Sequence, residues 1–308
     1  MATIPPHALL DRDIARASAA EEIRIATPML QEIVNYGLAA FLRCLTTARA
    51  RGAERHPPLF LLLHVMEMID GAQVLIMEAA PVPARLQLRS AFEALLGIEY
   101  ILADRTRERA FAYLVVAARS IRRAHRIFDP GSDEARDHRR RMEADRYVGQ
   151  VQMPAIPDLN ERMARIEEML QSPGWREAND EFERVRRERR GRRPAWYELY
   201  DGPHSLEELA LRTGRPGQYE MLYRQWSGTA HAGDVLTRQV GEDIAGYRGL
   251  RDVQEIRRAI GLAATIGLGA IRQVLLFFRP EEADGIRRWY IDNIQNSFQS
   301  IGGWRFEP

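Results

Sequence analysis

The sequence predicts an all-α fold: a helical bundle with a four-helix core and a charged helical insertion. Three observations lead there. Apolar residues recur with the helical period of 3.6, and no stretch alternates as a half-buried strand would. Proline and glycine cluster at regular breaks: Pro57-Pro58, Pro81 and Pro83, Pro130-Gly131, Pro154 and Pro157, Pro173-Gly174, and Pro280. Three segments are apolar almost all round, as helices at the centre of a bundle are.

Taken in order, the pattern predicts helices near 20–50, 58–80, 82–103, 106–128, 132–146, 158–171, 176–190, 205–213, 216–239, 251–278 and 282–298. Segment 58–80 opens Pro-Leu-Phe-Leu-Leu-Leu-His-Val-Met and is apolar almost all round. Segments 84–102 and 259–278 share that character and, with the 216–239 helix, make up the expected four-helix core. Ser205 followed by Glu208 reads as a capping box. Gly261, Gly267 and Gly269 would let a neighbouring helix come close. The stretch from about 104 to 200 is far more charged and reads as helices inserted into the bundle. The expectation is one helical domain over 1–308, with core helices in about 20–103 and 216–298.

Composition narrows the chemistry. A chain of 308 residues, 45% hydrophobic and 28% charged, is long enough for a large core and polar enough to be a soluble globule. The net charge of +1 gives no whole-molecule attraction to nucleic acid or membrane. All 44 basic residues are arginine, which excludes a catalytic lysine, Schiff-base chemistry and a P-loop lysine. The single cysteine, Cys44, excludes an internal disulfide and reads as core filler. The N-terminus has no signal-peptide pattern, and the longest apolar stretch, Ala259 to Ile271, is shorter than a membrane span. A cytoplasmic protein with no membrane association is expected.

Chemistry concentrates in residues 219–231, Tyr-Glu-Met-Leu-Tyr-Arg-Gln-Trp-Ser-Gly-Thr-Ala-His. Tyr219, Tyr223, Ser227 and His231 fall four apart, and Arg224 lies seven before His231. One helical face would therefore present a guanidinium, a hydroxyl and an imidazole. An imidazole exchanges protons near neutral pH, and an arginine beside it can hold a phosphate. The same side chains also suit a hydrogen-bonded core histidine with a surface arginine.

Three further groups stand out. Arg85, Arg89 and Glu93 share one face of a strongly apolar helix, where charged groups must be paired or poised. His64, Glu67 and Asp70 could ligate a metal, yet no Glu-x-x-His or His-x-x-x-His accompanies them, so neither metal nor cofactor is expected. Residues 186–193 hold six arginines, either a solvated helix end or a phosphate-backbone contact.

With these residues in place, the chain resembles an uncharacterised bacterial family of helical proteins. Its pattern is an Arg-x-x-x-Glu helix, here Arg89 and Glu93, then Tyr-x-x-x-Ser-x-x-x-His, here Tyr223, Ser227 and His231. The likeness spans roughly residues 58–240. The Arg224 to His231 segment also resembles the arginine–histidine signature of HEPN ribonucleases, with six intervening residues. That resemblance implies a helical homodimer, RNA as substrate, metal-independent cleavage, and a toxin or anti-phage defence setting with a protein antidote as partner. It gives His231 the acid–base role, Arg224 the phosphate clamp and Glu93 a helper's role. Ser227 is not part of that signature; together with Arg89 and Tyr223 it is read as a substrate contact. The residues leave two other readings open. One is a non-catalytic interaction protein whose Arg89, Glu93, Ser227 and His231 form a buried network. The other is a sensor of a small anion or nucleotide.

Overall fold

The computed structural model describes residues 11–46, 52–147, 156–224, 251 and 254–302, and it is helical throughout with no strand among them. The chain forms two compact units, Met1–Asp104 with Ser205–Pro308, and Arg105–His204.

The first unit begins with α1 (Arg12–Ser18), capped by the Asp11 carboxylate accepting from the Ile14 N–H at 2.9 Å. Then come α2 (Ala20–Leu45), α3 (His56–Met77) and α4 (Pro81–Ala103). After the second unit the chain returns as α9 (Leu206–Arg212), a single α turn at Pro216–Gln218 and a π-helical turn at Tyr219–Arg224. A long α10 (Gln254–Phe278) and the short α11 (Ala283–Asn293) and α12 (Gln295–Ser300) complete it.

The core is α2, α3, α4 and α10, which pack on one another. The expected fourth member, the 216–239 helix, falls largely outside the described residues; packed with the other three among those described is α2. Its Met29, Leu30, Ile33, Ala40 and Cys44 form a fully buried stripe, and one apolar stripe is enough for core membership. Polar ties hold it there. Trp289 Nε1 donates to Glu32 Oε1 at 2.6 Å, the Trp289 ring stacks on Tyr36 at 3.8 Å, and Arg257 bonds Glu22 at 2.8 Å. Residues 225–239 lie outside the described residues.

Glycine placement matches two of the three expected close approaches. A Cβ on Gly267 would lie 2.7 Å from Ile69 and 2.8 Å from Ile33. One on Gly269 would lie 3.3 Å from the Arg215 guanidinium, whereas Gly261 faces open space. The helix expected over 282–298 is broken at Ile294 (φ −117°) into α11 and α12. Two helical stretches, Ala53–Met77 and Glu255–Phe278, are long and apolar enough to cross a membrane, contrary to the expectation that the longest apolar run is too short. Half of the first apolar window and 67% of the second are buried inside the bundle.

The second unit contains α5 (Thr106–Arg126), α6 (Asp133–Ala144), α7 (Leu159–Gln171) and α8 (Trp175–Glu188). Helices α5, α7 and α8 pack together, while α6 buries only Ala135. Phe111 meets Trp175 edge-on at 5.9 Å, and Gly174, at φ +82°, leaves room for the Phe111 ring.

Candidate functional site

Within the first unit, α4 and residues 213–224 bring most of the described chemistry together. Arg85, Arg89 and Glu93 share a face of α4 as expected, but their partners divide them. Arg85 Nη2 donates to Glu255 Oε2 of α10 at 2.6 Å, with both side chains 17% exposed. Arg89 instead meets the other candidate segment. Its guanidinium carbon lies 4.0 Å from the centre of the Tyr223 ring, and its Nε is 3.5 Å from Glu93 Oε1. A guanidinium over an aromatic face is held by the ring's quadrupole, more strongly where water is excluded. Arg89 Nη1 is buried and finds no acceptor among the described residues. Glu93 stays 43% exposed.

The segment carrying Tyr223 is not the regular α-helix that the spacing predicts. It is a π turn, in which carbonyls bond five residues ahead, a geometry that tends to mark functional sites. Its rings stack, Tyr219 on Tyr223, at 5.2 Å and 17°. Burial, then the nearby Glu207, raises the Tyr219 phenol above its ordinary value. Arg224, next to Tyr223, is 64% exposed and bonds Glu220 on the same turn at 2.8 Å. Ser227 and His231 lie outside the described residues.

A second cluster shares α4. Thr213-Gly214-Arg215-Pro216 ends α9 in a Schellman motif. Gly214, at φ +74°, donates its N–H to Leu211, and the Arg215 N–H reaches back to the Ala210 carbonyl at 2.7 Å. That turn aims Arg215 at α4. Its Nε and Nη2 both bond the buried Glu99 carboxylate at 2.6 Å, and its Nη1 bonds Gln218 at 2.5 Å. The pair floors a cleft of about 530 Å³ whose wall includes Thr213, Gln218, Met221 and Gln273. Sequence reasoning missed Glu99, Arg215 and Gln218. Two signals were present: a lone glutamate in the apolar run Ala94–Ile101, and Gly-Arg-Pro after a helix.

The other candidates resolve separately. His64 Nε2 hydrogen-bonds Ser90 Oγ at 2.9 Å, while Glu67 and Asp70 are exposed. No three His, Cys, Asp or Glu side chains gather as a metal site among the described residues. In the second unit, the run Arg186–Arg193 disperses. Arg189 bonds the buried Glu198 at 2.5 Å, Arg186 pairs with Glu183 at 3.3 Å, and Arg187, Arg190 and Arg192 are exposed.

No curated protein and no solved structure matches the chain. A model of a family of unknown function (DUF5677) matches residues 55–247, more than half of the 308 residues. That stretch holds both arginine clusters of α4, the Glu99–Arg215 pair and the Tyr223–His231 segment, and the chain belongs to this family.

Proposed function

We propose that the chain is a metal-independent endoribonuclease of the HEPN kind, acting in the cytoplasm as a toxin or in anti-phage defence. The observation that supports this reading best is how the π turn is held. Tyr223 is pinned against Arg89, while the adjacent Arg224 keeps 64% of its side chain in solvent. A phosphate clamp needs a fixed backbone and a solvent-facing guanidinium, here held only by an exposed ion pair to Glu220 that a phosphodiester can replace.

In the proposed reaction His231 takes the proton of a ribose 2′-hydroxyl, and that oxygen attacks the adjacent phosphorus. The bond from phosphorus to the 5′ oxygen breaks, and the imidazolium returns a proton to that oxygen. The products are a 2′,3′-cyclic phosphate and a 5′-hydroxyl end. Arg224 stabilises charge on the non-bridging oxygens. Glu93, 43% exposed and only loosely paired at 3.5 Å with Arg89, takes the helper's role of orienting the imidazole in this reading. Arg89 and Tyr223 form the frame beside the substrate, with Ser227 as a further hydroxyl contact. A second copy would complete the cleft, and the exposed Leu42 and Phe60 offer apolar surface to it.

A second reading is favoured by Arg89, whose guanidinium is already committed to Tyr223. In it the network fixes helix register and the protein works by binding a partner. Cleavage of labelled RNA with EDTA present separates the two. The wild type is expected to cut, with folded His231→Ala and Arg224→Ala each slower by about 100-fold or more. Absence of cleavage by the wild type at high concentration, across several RNAs, would favour the network.

A further inference from the structure

We propose that the groove between α5 and α8, in the Arg105–His204 unit, binds the phosphate groups of a small phosphorylated ligand. This site is independent of the ribonuclease reading. Arg119, Arg122, Arg123 and Arg126 of α5, Arg186 of α8 and Arg193 after it line a cavity of about 260 Å³. The α5 arginines sit at spacings of three and four, which collects them on one helical face.

Pairing leaves this cluster short of negative charge. Glu183 accepts from both Arg119 and Arg186, Glu167 from Arg122 at 2.7 Å, and Glu134 from Arg126 at 3.3 Å. Arg123 and Arg193 have no hydrogen bond or ion pair among the described residues. Six guanidiniums thus face three carboxylates, a surplus of three positive charges in one concavity. Burial, then Arg123 and Arg186, lowers the pKa of Arg193, as expected where like charges crowd. An anion in the groove would relieve that repulsion.

The walls favour phosphate. Val116, the buried Phe182 and Pro194 form an apolar side, and the Arg119 guanidinium lies 4.1 Å from the Phe182 ring centre. Beside such a wall, water screens a charge pair less than in the open. Two unpaired planar forks suit the several acceptor oxygens of a phosphate. The size favours a small ligand. Its volume falls below the roughly 300–1,000 Å³ of a whole drug-sized site, so one or two phosphates would enter and the remainder would stay outside. RNA would need an open basic track. Here Glu134, Glu167 and Glu183 stand among the arginines and would repel a passing backbone.

Calorimetric titration of the full chain with pyrophosphate, ATP and a short RNA tests this. Arg123→Gln combined with Arg193→Gln is expected to weaken pyrophosphate and ATP binding by at least about tenfold. Arg187→Gln with Arg192→Gln removes the same charge from exposed positions outside the cavity and should change binding less than about twofold. Pyrophosphate should also raise the thermal midpoint of the wild type and not of the cavity variant. Arg193 is exposed, so Arg193→Gln alone gives a folded check on the pair and should lose about tenfold. Failure of the wild type to bind pyrophosphate and ATP at millimolar levels would overturn the proposal. So would equal losses in both double variants, or RNA binding that the cavity double variant weakens more than it weakens pyrophosphate binding.

Discussion

Glu99 carries more structural consequence than any other charged side chain on α4. It is 9% exposed, its oxygens accept two 2.6 Å bonds from Arg215, and the cleft beside it depends on that pair. Removing one member of such a pair leaves the other charge buried, whereas replacing both by apolar groups removes the problem. Glu99→Gln is therefore expected to cost about 3 kcal/mol in urea unfolding, and Glu99→Met with Arg215→Met distinctly less than either single change. A double variant as unstable as the sum of the singles would contradict the pairing. Cys44 gives a second residue-level test. Burial pushes its thiol from 9.0 up to about 11. The folded chain keeps the proton over a range where the unfolded chain loses it, so this contribution is full below about pH 9 and lost as pH rises toward 11. Wild-type stability should fall between about pH 8 and about pH 10.5 by more than that of Cys44→Ala. The burial of Cys44 was legible because a lone thiol amid apolar residues has one obvious environment. The Glu99–Arg215 pair was not, because its members lie 116 residues apart and only the folded bundle brings them together.

At the scale of elements, periodicity found nearly every described helix, since burial of one face is what makes a helix stable in a protein. It misjudged roles and details. Ranking helices by how apolar they are all round put the amphipathic α2 within the core region but not among the four central helices. The π turn at Tyr219–Arg224 was read as α, because a spacing of four fits either geometry. Glycine positions show how much helix packing decides. In α10, Gly267→Ala would force a methyl against Ile69 and Ile33 and is expected to destabilise by about 1–3 kcal/mol. Gly261→Ala meets nothing within 4 Å and should be neutral or stabilising by up to about 1 kcal/mol, from helix propensity alone. Thermal or urea unfolding of the two variants distinguishes them; equal effects would mean that α10 is not packed as described.

Over the whole molecule, a net charge of +1 conceals strong local separation. The first unit is built on apolar helices with a few buried ion pairs, whereas the second gathers six arginines around one groove. That concentration was partly legible in the run Arg186–Arg193. Half of its meaning was not, because the groove draws on α5 and uses only two of the run's arginines. The proposed ribonuclease site shows the same limit: Arg89 and Tyr223 could be singled out by spacing, but the pinning of Tyr223 by Arg89 could not. The measurement that tests the proposed activity most directly is the chemistry of the RNA ends. Wild-type protein should cut a labelled RNA in EDTA to leave a 2′,3′-cyclic phosphate and a 5′-hydroxyl, and should fail on the same strand with a 2′-deoxy sugar at the cut site. Cleavage of the deoxy strand, a 3′-hydroxyl product, or no cleavage at all would contradict it.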